Sequence, residues 1–141
     1  MKGLTDQEAA DLIGLADGVI PTWTQGLILT NDALPDNPII YASAGFATLT
    51  GYPVEDIIGR NCRFLQGEDT SRFTVDAIRR AIAAYRRFDG DILNYRKDGS
   101  PFWNRLSIGP LCRLTQKGLF AGMQMDVTDR VAKTHGLKVV K

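Results

Sequence analysis

The chain has 141 residues, 44% of them hydrophobic and 23% charged, proportions of one soluble domain that can bury a sizeable core but leave no room for a large multidomain enzyme. Seventeen Lys and Arg against sixteen Asp and Glu give a formal net charge of +1, so no global field favours nucleic acid or an anionic membrane. Cys62 and Cys112 stand fifty positions apart and His135 is the single histidine, which excludes a disulfide framework and a His-rich metal site and makes a reducing cytoplasm the expected compartment.

The N-terminus reads as neither a signal peptide nor a membrane span. Thr5 and Glu8 form a capping box for a first helix with Leu12, Ile13 and Leu15 on its apolar side; Gly14 and Gly18 weaken it and Pro21 is expected to end it. Leu27-Ile28-Leu29-Thr30 and Ile39-Ile40-Tyr41-Ala42 are β-rich runs separated by the turn Pro35-Asp36-Asn37-Pro38. From Ser43 to Gly67 the chain is interrupted by Gly51, Pro53, Gly59 and Gly67, which predicts several short helices. Val75, Ile78, Ile82 and Tyr85 then form an apolar stripe on one longer helix, capped by Thr70 or Ser71 and flanked by Arg79, Arg80, Arg86 and Arg87.

Three β segments follow, near Asp89 to Arg96, Phe102 to Leu114 and Leu119 to Val127, divided by Asp98-Gly99 and Gln116-Lys117-Gly118. Two strands, short helices and three strands predict an α+β fold, a five-stranded antiparallel sheet with the short helices on one concave face. The first helix packs outside, and a weak helical pattern broken by Gly136 follows Thr128. The expected division is an N-terminal helical extension (1–24), a core (25–128) and a C-terminal extension (129–141).

Alternation places amides on apolar strand faces. Asn104 shares the even positions with Phe102, Leu106 and Ile108, Gln124 with Phe120 and Gly122, and Asn94 with Ile92. A buried amide needs partners opposite it. An odd-numbered loop around Asp98-Gly99 puts Asn94 and Asn104 on one face; a two-residue loop puts them on opposite faces. Singly, each reads as an ordinary strand polar; together, with Gly122 leaving space, they suit a flat heteroaromatic ligand with alternating donors and acceptors along its edge.

Between two glycines lies Asn61-Cys62-Arg63-Phe64-Leu65-Gln66, where helical spacing aligns Cys62, Leu65 and Gln66. On the residues alone Cys62 is a buried small hydrophobe; a thiol enzyme is a poor fit, because His135 sits in the polar tail. This segment resembles the signature of LOV domains, the blue-light-sensing flavin branch of the PAS superfamily. The resemblance runs from about Leu27 to Thr128, through Pro35-Asp36-Asn37-Pro38-Ile39-Ile40-Tyr41, Thr50-Gly51-Tyr52, Ile92 to Gly99 and Phe102-Trp103-Asn104.

The resemblance implies a PAS fold and FMN held noncovalently in darkness, with Cys62 beneath the isoalloxazine ring. In light the Cys62 sulfur bonds ring carbon C4a while N5 gains a proton, and the bond breaks again in the dark. It implies that Asn94 and Asn104 meet the pyrimidine edge, Gln124 faces O4 and N5, Asn61 and Gln66 contact the ribityl chain, and Arg63 and Arg79 contact the phosphate. Ile28, Leu65, Ile78, Leu106, Ile108, Phe120 and Gly122 would line the ring pocket; without the resemblance most are plain core. Ala44, where the family often has an acidic residue, and Leu106, where an aromatic is frequent, depart from the pattern without touching the adduct chemistry.

No effector sequence follows Asp126-Val127-Thr128-Asp129, so the expectation is a short photoreceptor or an excised sensor. It would signal through its terminal helices at a homodimer interface, to a downstream partner or an effector domain that this chain lacks. Without a Gly-rich dinucleotide fingerprint or a second domain, the expectation is a protein that is not an enzyme. The competing readings are a light-insensitive PAS module for ligand binding or dimerisation and a flavoenzyme; no metal, nucleic-acid or membrane partner is expected.

Overall fold

The computed structural model describes residues 1–14, 24–111 and 118–131. Its order is α1 (Asp6–Ile13), β1 (Gly26–Asn31), β2 (Ile39–Ala42), α2 (Ala44–Thr50), α3 (Val54–Ile57), a 3₁₀ turn (Cys62–Leu65), α4 (Arg72–Ala83), β3 (Phe88–Tyr95), β4 (Pro101–Pro110) and β5 (Leu119–Asp126). The strands form one antiparallel sheet in the order β2-β1-β5-β4-β3. The last strand therefore runs through the centre, between the first strand and the β3–β4 hairpin.

The two faces of the sheet divide the core. Ile28, Ile39, Ala42, Phe46, Ile57 and Leu65 form the inner cluster beneath the short helices. Leu27, Leu29 and Tyr41 meet Ala9, with Leu4, Leu12, Ile13, Ala121 and Met123 packed around them on the outer face. A bulge in β2 makes this division possible: Leu29 pairs with Tyr41 and Thr30 with Ile39, leaving Ile40 over. Ile40 and Tyr41 thus join the outer cluster while Ile39 and Ala42 face inward, which strict alternation forbids.

The helix ends follow local chemistry. In α1 the Thr5–Glu8 capping box is formed, and Gly14 closes the helix in the left-handed region at φ 80°. The helix thus stops at Gly14; Leu15, Gly18 and the expected stop at Pro21 lie outside the described residues. Ser43 Oγ accepts from Phe46 N (3.2 Å), capping α2, and from Leu27 N (3.0 Å), tying that cap to β1. A Cβ at Gly45 would stand 2.1 Å from the Gln25 carbonyl oxygen, so only glycine lets α2 approach the sheet this closely.

Ser71, not Thr70, caps α4. The apolar stripe read through Tyr85 ends earlier, because the helix stops at Ala83 and Tyr85 adopts φ 53°. The Tyr85 ring instead packs edge-on against Phe120, with centroids 5.3 Å apart. Of the last turn signal only Gly118 is described, at φ 91°; β4 spans Pro101–Pro110, and the expected end at Leu114 lies outside the described residues.

Tyr41 fixes α1 to the sheet by donating its phenol hydrogen to Asp6 Oδ1 at 2.6 Å. Burial first, then that hydrogen bond, pushes the phenol pKa far up. Tyr41→Phe keeps the ring and removes the bond, and is expected to cost about 1 kcal/mol of stability. Hydrogen exchange should show the α1 amides losing protection before those of β1; unchanged exchange in α1 would show that apolar packing alone holds the helix.

Candidate functional site

One cavity opens between the inner sheet face, the 3₁₀ turn and α4. Its lining includes Ile28 and Thr30 from β1, Phe46 from α2, Cys62, Arg63 and Leu65 from the 3₁₀ turn with Asn61 and Gln66 at its two ends, and Ile78 and Ile82 from α4. Asn94, Asn104, Leu106, Ile108 and Gln124 line it from the last three strands, and Asn37 at its mouth. The site is therefore apolar with polar side chains converging from several elements, the usual form of a small-molecule site.

The hairpin brings the two asparagines together. Five residues separate Tyr95 from Pro101, so Ile92 pairs with Asn104 and Asn94 with Phe102, and both amides face inward. Asn104 Nδ2 donates to Asn94 Oδ1 at 3.0 Å. On β5, Gln124 pairs with Leu106 on one side and Gly26 on the other. Asn94, Asn104 and Gln124 are only 4%, 2% and 2% exposed, so each unpaired atom carries a desolvation cost.

Among the described residues, the buried side-chain polar atoms without a partner are Thr30 Oγ1, Asn37 Oδ1, Asn104 Oδ1 and Gln124 Oε1. All four side chains belong to the lining of this one cavity. A protein core satisfies its buried polar atoms as a rule, and their concentration here marks a surface made for a ligand with donors along its edge.

Cys62 opens the 3₁₀ turn, whose preceding residue Asn61 caps it by accepting from Arg63 N at 3.0 Å. The thiol packs beside the inner core. Burial pushes it up to about 12, against smaller lowering by a backbone hydrogen bond and Arg63. Cys62 is thus a thiol, not a thiolate, at neutral pH. An unfolded chain loses this proton near the thiol's ordinary value of about 9, so the raised folded value makes stability fall as pH climbs from there towards about 12. Urea unfolding over that window should show a steeper fall for the wild type than for Cys62→Ala; equal slopes would show that the thiol is not desolvated.

Arg79, Phe120 and Gly122 do not line the cavity. Arg79 projects into a groove that continues from the cavity mouth, where Asp36, Arg63, Arg72 and Gln66 also lie. Both expected phosphate contacts hold carboxylates: Arg63 Nη1 and Nη2 donate to Asp36 at 2.7 and 2.6 Å, and Arg79 Nη2 donates to Asp76 at 2.5 Å. Phe120 is occupied with Tyr85. Gly122 acts by what it lacks: a Cβ there would approach Ile28 Cγ1 to 3.1 Å and Gln124 Nε2 to 3.2 Å, crowding the amide it leaves free.

The sequence reading missed four lining residues. Thr30 shares the inward parity of Ile28 and was legible from alternation; Ile82 lies on the singled-out stripe of α4. Asn37 was hidden in a turn, where its type is expected anyway, and Phe46 carries no signal on a short helix.

Residues 25–129 match the PAS domain family. The LOV domain of a blue-light activated histidine kinase from Erythrobacter litoralis is 38% identical with a TM-score of 0.72, over 78% of this chain and 99% of that one. This chain is a LOV domain of the PAS family. The LOV domain also superposes on the dark structure of the blue-light photoreceptor Aureochrome1 LOV, with TM-score 0.73, 36% identity and coverage of 100% of this chain and 99% of that chain.

Among curated proteins, Oryza sativa subsp. japonica phototropin-2 is 50% identical over 74% of the LOV domain chain. A Brucella anthropi blue-light-activated histidine kinase is 48% identical over 76%. The chain spans only 12% and 22% of those relatives' lengths. The expectation of a protein that is not an enzyme is corrected here: the matching segment of the Brucella protein is part of a histidine kinase, and the sequence of a sensor segment carries no information on such an activity. The missing dinucleotide fingerprint excluded one enzyme class and was extended too far. No helix among the described residues is long and apolar enough to cross a membrane.

LOV membership implies a flavin chromophore, and the cavity fits one. The unpartnered oxygens of Asn104 and Gln124 sit on an apolar wall, Gly122 leaves the amide room, and a thiol lines the same space.

Proposed function

We propose that this LOV domain senses blue light by binding FMN in the cavity and forming a reversible bond between Cys62 and the flavin ring. The observation that carries the reading is the convergence of unpartnered amide oxygens and the Cys62 thiol on one cavity. The flavin supplies blue-light absorption and, once excited, an electrophilic carbon at C4a. Cys62 supplies the sulfur for that carbon and gives up its S–H proton to N5, and the reverse transfer in darkness restores both. Asn94 and Asn104 orient the pyrimidine edge, with their mutual hydrogen bond fixing which atoms face the ring. Asn61 and Gln66 meet the ribityl chain, and Arg63 and Arg79 the phosphate.

Gln124 reads the change at N5, which turns from acceptor to donor. Its backbone carbonyl already accepts from Gln25 N at 3.0 Å and Thr24 Oγ1 at 2.9 Å. Its neighbour Met123 faces the outer cluster around α1. A reorientation of the Gln124 amide is therefore one residue away from the packing of the N-terminal extension (1–24). Two residues on, Asp126 pairs with Arg96 at 2.7 Å and accepts from Thr128 N at 2.9 Å, where the C-terminal extension (129–141) begins. The recipient is a second copy of the chain or an effector joined to it; scattering profiles that are identical in darkness and light, with the bond fully formed, would contradict transmission to a dimer interface.

The ligand's identity has its own test. Protein purified in darkness and denatured should release a flavin with the mass of FMN. Release of a dinucleotide flavin would overturn the choice of FMN, and a colourless protein that stays colourless after incubation with FMN would leave a light-insensitive PAS module.

A further inference from the structure

The groove outside the cavity has walls of opposite charge. Asp32 and Asp36 lie on the β1–β2 turn, and Arg63, Arg72 and Arg79 face them from the 3₁₀ turn and α4. Asp36 bridges the two walls. Its carboxylate accepts from both terminal nitrogens of Arg63, and its carbonyl accepts from Asn61 Nδ2 at 2.8 Å. Asp36 sits at φ 68°, a left-handed conformation that the short side chains of Asp and Asn tolerate better than most. The two-point pairing uses the fork of Arg63 that would otherwise meet a phosphate in the same bidentate way.

We propose that Asp36 competes with the ligand's terminal phosphate for Arg63, and so sets how strongly this site prefers FMN over riboflavin. The proposal rests on the flavin reading and adds the residue that tunes its phosphate end. A dianion approaching Arg63 must displace the Asp36 carboxylate or share the guanidinium with it, and it meets a like charge in either case. Riboflavin, which ends in a hydroxyl, meets neither obstacle. The carboxylate occupies both terminal nitrogens of Arg63 and so weakens the phosphate's grip. Both partners are about 60% exposed, so the competition is partly screened and should weaken in high salt.

The test is the ratio of riboflavin to FMN dissociation constants, measured by flavin fluorescence on apoprotein, because a ratio cancels general loss of fold. Asp36→Asn keeps the size of the side chain and removes its charge; the ratio should rise about three- to five-fold above the wild-type value. In an Arg63→Gln background most of that gain should disappear. A ratio unchanged in Asp36→Asn would overturn the proposal, and a lower ratio would overturn it in favour of Asp36 positioning Arg63 for the phosphate. Wild-type apoprotein that takes up neither flavin would overturn the flavin reading itself, before any variant is compared.

Discussion

A Cys62→Ala variant is expected to keep its flavin and absorb blue light, yet show no bleaching of the blue band on illumination. Among the described residues Cys62 is the free thiol, and it lines the cavity, so no other described side chain offers a sulfur to the ring. The loss should be complete, in contrast to the graded losses expected from the amides. The removed atom is small and lies at the edge of the inner cluster, and its substitution leaves Ile28, Ile39 and Phe46 of that cluster in place. Absorption spectra before and after illumination decide the matter: bleaching and recovery in Cys62→Ala would mean that the reaction does not use this sulfur.

Asn104→Ala is expected to weaken FMN binding by about 5- to 150-fold, the loss of about 1–3 kcal/mol for a buried polar group left unpaired. The substitution acts twice. It removes the Oδ1 that faces the cavity without a partner, and it strips Asn94 Oδ1 of the donor it now has at 3.0 Å. The apoprotein should therefore also lose stability, by roughly 1 kcal/mol, with Asn94 left to find water. Titration with FMN and urea unfolding of the apoprotein separate the two effects. Wild-type affinity in this variant would show that the pyrimidine edge is not bound at Asn104.

The fold was legible because its signals are local and redundant. The Thr5–Glu8 capping box, the parity of Phe102, Asn104, Leu106 and Ile108, and the glycines between short helices each act within a few residues. The inward amides followed from alternation, but whether Asn94 and Asn104 share a face depended on the loop between their strands. Residues 96–100 make it five, which sequence left open. The bulge at Ile40 exists only in relation to β1, and a single strand carries no trace of it. The Tyr85 stripe went astray because periodicity does not register that a helix has stopped.

The site was legible in outline through its amides and Cys62. Its charged rim was not: whether Arg63 meets a phosphate or Asp36 depends on a turn twenty-seven residues away along the chain. Asn37 became visible only when its oxygen was found buried without a partner, a property of the assembled cavity, whereas Thr30 follows from the parity of Ile28.

The most direct test of the central claim is the absorption spectrum of the purified protein in darkness, immediately after blue light, and during return to darkness. The account predicts a structured flavin band in the blue that bleaches on illumination and recovers in the dark. A bound flavin whose band does not bleach would contradict the Cys62 photocycle, and a protein that shows no flavin band even after reconstitution with FMN would contradict the photoreceptor assignment altogether.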